Sequence, residues 1–311
     1  MSPSNQNTTP TSWKGCGTAL VTPFTSDGKL DEPSIARLVQ RQIEGGVHFL
    51  VPCGTTGETP TLSHEEKLRV VDLVVTTSDG RVPILAGAGS YDTKSSIILA
   101  KEMEQLGVTG LLSVTPFYNK PSPEGLFQHF RALAESTQLP IILYNVPSRT
   151  GCNLDTLTLL RLADIPNIVG IKEASGNLGQ VSEICHAVPE TFSVLSGDDA
   201  FTLPLISLGG AGVISVVSNE TPSEMSQLVT AALEGDFETA RRHHNLLFPL
   251  MQVNFIESNP IPVKAAMAQM NLLREVYRLP LVPPCPEARE KITQVLQQLG
   301  LLANSLQQTK E

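Results

Sequence analysis

The sequence predicts an α/β fold, a (β/α)8 barrel of the TIM type with a C-terminal helical extension. Three observations carry that expectation. Eight apolar, strand-like runs recur at near-regular spacing, a helix-patterned segment follows each of them, and after about residue 235 the alternation gives way to helices alone. The runs are nearly continuous in apolar residues, as strands buried on both faces require. A doubly wound open sheet is the competing architecture, but it commonly has only about five or six such units and a glycine-rich first turn.

The runs span 17–24, 47–54, 81–89, 110–117, 139–147, 167–175, 191–198 and 211–219. Helix starts between them are marked by side chains that can accept from the first free N–H groups. Ser63 with Glu66 forms a capping box, Asp92 or Thr93 can cap the next helix, and Asp199 precedes the apolar segment AFTLPLISLGG. Gly107, Pro140, Pro166 and Gly209-Gly210 punctuate the returns from helix to strand. Beyond residue 235, GDFETARRHHNLLFPLMQ, NPIPVKAAMAQMN and PEAREKITQVLQQLG read as three helices between proline-marked turns. The expected organisation is a mobile tail at 1–12, a catalytic barrel at 13–235 and a C-terminal helical domain at 236–311.

Charged residues make up 17% and hydrophobic residues 41%, a balance that supports a packed core and argues against disorder. The formal net charge is -9 with no basic cluster, so neither nucleic acid nor an anionic membrane surface is an expected partner. Cys16, Cys53, Cys152, Cys185 and Cys285 are widely spaced, without a C-x-x-C pair or a histidine at metal-ligand spacing. They read as reduced thiols, and no metal site is expected. With a polar start, MSPSNQNTTPTS, and no apolar run of membrane-spanning length, the expected location is cytoplasmic.

In a barrel of this kind chemistry belongs to the loops at the C-terminal strand ends. The sixth run, NIVGIKEASG (167–176), ends in Lys172 where a turn is expected. Its ammonium can snorkel out of the strand end or pair with Glu173. Alternatively, dehydration in the barrel mouth favours the neutral, nucleophilic amine of a Schiff-base lysine. Strict alternation places Lys172 on the face of Gly170 and Ile168, with Gly170 leaving room below it, and puts Tyr144 with Ile142 on one face of the fifth run. If both faces look inward, Tyr144 and Lys172 meet near the mouth. Tyr144 can equally be a core tyrosine whose hydroxyl finds any acceptor.

The loop GTTGE (54–58) has two glycines for a tight turn, and its N–H groups with the Thr55 and Thr56 hydroxyls can hold a small anion, or merely cap the turn. TPFYNKPSPEG (115–125) displays Tyr118 in a proline-bracketed loop, with Lys120 as the other lysine at the rim. Arg149 suits a carboxylate, though it can also be a solvated loop arginine. Asp198 and Asp199 at the end of the seventh run disfavour a phosphorylated ligand, so the expected substrate is an unphosphorylated acid. The remaining lysines, Lys264 among them, fall on helices, termini or the first loop.

From about residue 14 onward the chain closely resembles the dihydrodipicolinate synthases, within the pyruvate-dependent class I aldolase and N-acetylneuraminate lyase group. The stretches that carry the resemblance are VTPF, GTTGE, TPFYNKPSPEG, YNVPSRTG, GIKEASGN, LSGDD, GVISV and NPIPVK. GTTGE and the strand-6 lysine are shared across the wider group, whereas YNVPSRTG with TPFYNKP is more specific. The resemblance implies that Lys172 forms an imine with pyruvate, whose enamine attacks the aldehyde of L-aspartate 4-semialdehyde, the first committed step toward diaminopimelate and lysine. It implies a proton relay of Tyr144, Thr55 and Tyr118, the last reaching into a neighbouring subunit's site. Thr56 would hold the pyruvate carboxylate, Arg149 that of the semialdehyde, and Gly197 and Ile214 would supply backbone groups. No cofactor is implied, and a homotetramer built as a dimer of dimers is.

Lysine-sensitive members of the family line a feedback cleft with two histidines, an asparagine, a glutamate and a tyrosine. Here His64 is retained, while Lys67, Tyr91, Ser95 and Phe117 occupy the other positions. Loss of the carboxylate at Ser95 and the added cation at Lys67 disfavour a ligand with two amines. Two alternatives accompany the main reading: a pyruvate-dependent aldolase acting on a sugar acid, against which Arg149 argues, and a catalytically silent barrel that binds a small acid.

Overall fold

The computed structural model describes residues 13–302, so the tail expected at 1–12 and the last residues lie outside the described part. Eight parallel strands form the wall: β1 (Gly15–Ala19), β2 (Phe49–Val51), β3 (Leu85–Gly87), β4 (Gly110–Val114), β5 (Ile141–Asn145), β6 (Ile168–Glu173), β7 (Ser193–Ser196) and β8 (Gly212–Ser215). They pair in the order β2-β1-β8-β7-β6-β5-β4-β3. The wall closes between β2 and β3 through Leu50 N to Pro83 O at 3.0 Å and Gly87 N to Pro52 O at 3.0 Å. Pro52 and Pro83 have no N–H to give, which limits this seam to a few bonds. At Gly87 a Cβ would strike the Cys53 carbonyl, so the close approach needs glycine.

The surrounding helices are α1 (Glu32–Glu44), α2 (His64–Ser78), α3 (Thr93–Gln105), α4 (Pro123–Glu135), the short α5 (Pro147–Thr150), α6 (Thr156–Ala163), α7 (Leu178–Ala187), α8 (Thr202–Ser207) and α9 (Pro222–Leu233). The capping box at Ser63 and Glu66 opens α2, and Asp92 caps α3 by accepting from Ser95 N. The extension follows as α10 (Phe237–Val253), α11 (Ile261–Gln269) and α12 (Pro286–Gln298). Its apolar faces share one core with Cys16 of β1, Val213 of β8 and the α9 residues Met225, Leu228 and Val229.

Two apolar layers lie on opposite sides of the wall. Outward residues such as Leu111, Ile141, Leu143 and Ile171 pack under the helices, while Leu85, Leu112, Ile142, Tyr144, Leu195 and Ile214 fill the interior. The floor of the interior is stoppered by Trp13, which meets Phe49 edge-on at 5.2 Å between ring centroids.

Three sequence expectations need correction. Ile168 does not share the face of Lys172: the pairing of β5 with β6 shifts between Ile141 and Ile142, Ile168 joins the outer layer, and Val169 packs against the interior. The extra residue resets the alternation, as a bulge does. Gly170 leaves no room below the lysine either, because a Cβ there would meet Ile142 Cδ1 at 2.7 Å and the Ser193 backbone. Nor does Asp199 cap a helix or face the mouth. Asp198 is the cap, accepting from Ala200 N, while Asp199 is buried and accepts from Val216 N at 2.9 Å and Val217 N at 3.1 Å, fixing the turn after β8.

Burial raises the Asp199 carboxyl from the usual 3.8 to about 6, and burial raises Glu220 as well. The folded chain therefore holds a proton that the unfolded chain gives up more readily. The resulting stabilisation is complete below about pH 4 and disappears as the pH rises through about 6, a change of roughly 3 kcal/mol for Asp199. Asp199→Asn should accordingly flatten the fall in Tm between about pH 4 and pH 6. Parallel Tm profiles for the two proteins would contradict this.

Candidate active site

Lys172 and Tyr144 are register partners on adjacent strands. The lysine is 5% exposed, and its Nζ stands 4.3 Å from the centroid of the Tyr144 ring. Among the described residues Nζ makes no hydrogen bond or ion pair. Both bland readings of Lys172 fail on these facts. A side chain this buried is not snorkelling, and Glu173 points to the other face, where it accepts from Asn145 Nδ2 (2.9 Å), Gln180 Nε2 (3.2 Å) and Ser175 N (2.6 Å). Among the described residues no acceptor competes for this nitrogen, which leaves it available to a carbonyl carbon entering the mouth.

Bare backbone borders the lysine. A Cβ on Gly197 would lie 3.1 Å from Lys172 Cε and 2.6 Å from Ala174 Cβ, so glycine is what lets β7 end this close. Ile214 of β8 belongs to the same interior layer as Tyr144. Three of the candidate residues, Lys172, Tyr144 and Gly197, thus come together, and Ile214 shares their interior layer.

Thr55 and Thr56 sit in a one-turn 3-10 helix (Thr55–Gly57) directly after β2. Thr22 Oγ1 donates to Gly57 O at 2.7 Å and holds the turn from beneath. Glu58 follows in the left-handed region with φ 53°, and its carboxylate is tied to Lys264. Both side chains of that pair are fully buried, and Lys264 Nζ also donates to Thr22 O (3.2 Å) and Val276 O (2.7 Å). The last residue of GTTGE is therefore an anchor sunk into the C-terminal extension. Burial pushes the neighbouring Cys53 thiol up to about 12, which makes it an inert packing group.

Arg149, in α5, is exposed and donates from Nη2 to Asn259 O at 3.2 Å. Asn259 in turn donates from Nδ2 to Thr56 Oγ1 at 3.0 Å. Neither Asn259 nor Lys264 stood out in the sequence as a site residue. The stretch NPIPVK holds both, but nothing local distinguishes them from helix-start polar residues. Tyr118 is not drawn into the interior: it is 93% exposed at φ 71°. Among the described residues the hydroxyls of Tyr144, Thr55 and Tyr118 exchange no hydrogen bond.

Residues 12–299 match the Dihydrodipicolinate synthetase family. The chain belongs to that family. Within it, a protein of Koribacter versatilis named 4-hydroxy-tetrahydrodipicolinate synthase is 53% identical over 293 residues, covering 94% of this chain and 98% of the relative. The crystal structure of dihydrodipicolinate synthase from Aquifex aeolicus superposes with a TM-score of 0.92 at 41% identity, covering 94% of this chain and all of that one (100%). The chloride-inhibited dihydrodipicolinate synthase from Acinetobacter baumannii, complexed with pyruvate, superposes with a TM-score of 0.91 at 42% identity, covering 93% and 99% of the two chains.

Apart from Lys67, the residues expected at feedback-cleft positions are tied up among themselves and with near neighbours. His64 Nε2 meets Glu102 Oε2 at 2.9 Å, and the Tyr91 and Phe117 rings meet edge-on at 5.4 Å. Ser95 donates from both N and Oγ to Asp92 Oδ2, each at 2.7 Å. The Lys67 ammonium has no ion pair among the described residues.

Proposed function

We propose that the chain condenses pyruvate with L-aspartate 4-semialdehyde to give 4-hydroxy-tetrahydrodipicolinate, as its family name and its 53% identical relative indicate. The observation that carries this reading is the buried, unpartnered Lys172 amine against Tyr144 at the C-terminal end of the barrel. The amine adds to the ketone carbon of pyruvate and loses water, and the resulting imine accepts the electron pair left when a methyl proton departs. The enamine carbon then bonds to the aldehyde carbon, and the substrate's own amine displaces Lys172 by closing the ring. The imine itself is the electron sink, so this route asks for no metal or organic cofactor.

Tyr144 is the nearest acid/base to the imine, with Thr55 linking it to Tyr118 of a neighbouring subunit. Thr56 receives the pyruvate carboxylate, Arg149 the semialdehyde carboxylate, and Gly197 and Ile214 offer backbone groups at the ends of β7 and β8. Arg149, held at the rim through Asn259, favours an acid aldehyde over a neutral sugar. Residues 13–235 form the catalytic unit in this reading, and the C-terminal helices steady its GTTGE loop through Lys264. The test is borohydride reduction in the presence of pyruvate, followed by peptide mass mapping and a coupled assay with aspartate semialdehyde. A pyruvate adduct on Lys172 is expected. No adduct in folded protein would promote a silent barrel, and cleavage of N-acetylneuraminate would promote a sugar-acid aldolase.

The exposed Tyr118, standing free of its own mouth, supports a shared site in a homotetramer of paired dimers. Mixing Tyr118→Phe with Lys172→Ala protein should restore part of the lost activity in hybrid dimers; verified hybrids with none would argue for self-contained sites. No helix among the described residues is long and apolar enough to cross a membrane. A cytoplasmic location is part of the proposal, supported by relatives named for a biosynthetic step. L-Lysine should inhibit weakly or not at all, since Ser95 is occupied by Asp92 and Lys67 adds a cation. Half-maximal inhibition at submillimolar lysine would refute that.

A further inference from the structure

Asn259 joins the two residues assigned to the two substrate carboxylates, and it does so with different groups. Its side-chain Nδ2 donates to Thr56 Oγ1 at 3.0 Å, whereas its backbone carbonyl accepts from Arg149 Nη2 at 3.2 Å. Asn259 is 6% exposed, Thr56 is 2% exposed, and Asn259 Oδ1 has no partner. A threonine hydroxyl has one proton to give and lone pairs to receive with. Because Asn259 already occupies a lone pair of Thr56 Oγ1, the single O–H proton is directed elsewhere. Inside a dry turn, a hydroxyl polarised by one donor is a stronger donor to the next acceptor.

We propose that Asn259 is a positioning residue that commits the Thr56 hydroxyl to donating, and so tunes this loop for a carboxylate. The inference rests on the pyruvate reading above. With the amide turned the other way, Oδ1 would take the Thr56 proton and leave nothing to offer an anion. The link to Arg149 runs through the main chain and survives any side-chain change at this position. The two substrates are therefore separable: changing the Asn259 side chain weakens pyruvate and spares the semialdehyde.

The experiment measures the pyruvate concentration that half-saturates borohydride trapping on Lys172, together with KM for the semialdehyde. The variants are Asn259→Ala, the isosteric Asn259→Asp, Thr56→Val and the pair Asn259→Ala/Thr56→Val, each checked by circular dichroism. Asn259→Ala should raise half-saturation by about tenfold and leave the semialdehyde KM within about twofold. Asn259→Asp, which keeps the shape and can only accept when ionised, should do at least as much. The pair should match Thr56→Val alone, because Asn259 acts through that hydroxyl. Unchanged half-saturation in the folded single variants, additive losses in the pair, or an equal rise in both substrates' constants would overturn the inference. If Asn259→Ala does not fold, Asn259→Asp decides by the same readout. A wild-type chain that traps no pyruvate would remove the functional reading itself, an outcome distinct from these.

Discussion

Lys172→Ala is expected to lower turnover at least about 10³-fold while leaving the protein as stable as before, or more so. The first half follows from chemistry: among the described residues no other amine is recorded beside Tyr144, and Lys264 is committed to Glu58. The second half follows from burial. The Lys172 side-chain nitrogen is held out of water with no hydrogen-bond partner, so its removal relieves a desolvation cost and gives up only the contact with the Tyr144 ring. Lys172→Met, which fills the same space with an apolar chain, should show the rise in Tm most clearly. Lys172→Arg keeps a cation but supplies no imine-forming amine, and should be equally inactive. Residual turnover near a tenth of wild type in any of the three would refute the assignment, as would a Tm drop comparable to that of an ordinary core truncation.

The second large effect is on stability. Lys264→Met strands the Glu58 carboxylate at zero side-chain exposure and removes the donor that serves Thr22 O and Val276 O. Breaking a buried pair from one side costs about 3–5 kcal/mol, which should appear as a large drop in the urea midpoint. Replacing both partners, as in Lys264→Met/Glu58→Leu, should recover a substantial part of that loss, because no uncompensated charge remains. Activity should not recover with it. Glu58 also accepts from Arg278 N, and its left-handed backbone sets the end of the turn that carries Thr55 and Thr56. Equal midpoints for the single and double variants would show that the stranded Glu58 charge is not the source of the loss.

What could be read from the sequence was whatever depends on near neighbours. The capping box at Ser63 and the Asp92 cap lie within one helical turn, and both were legible. Tyr144 and Lys172 were placed together by strand alternation over a few residues, and their register bears this out. The same rule failed at Ile168, because one extra residue at Val169 breaks the period, and the local mark of that bulge, the adjacent Gly170, reads equally well as space left for the lysine. Asp199 looked like a cap because caps are local, yet its partners are Val216 and Val217, 17 and 18 residues away. Lys264 and Asn259 were illegible for the same reason at greater range. Their contacts with Glu58 and Thr56 span 206 and 203 positions, and nothing in NPIPVK points across the barrel.

The Trp13 stopper has a consequence for traffic. With Trp13 packed on Phe49 at the floor, the N-terminal end of the interior is filled, and a reactant bound for Lys172 on the proposed reading comes in from the C-terminal strand ends. The reactant that bonds to the lysine lies deepest, so it must arrive before its co-substrate, and the assembled product must clear the opening before another turnover begins. Arrival order is thus written into the architecture of the vessel, at the end farthest from the reacting atoms.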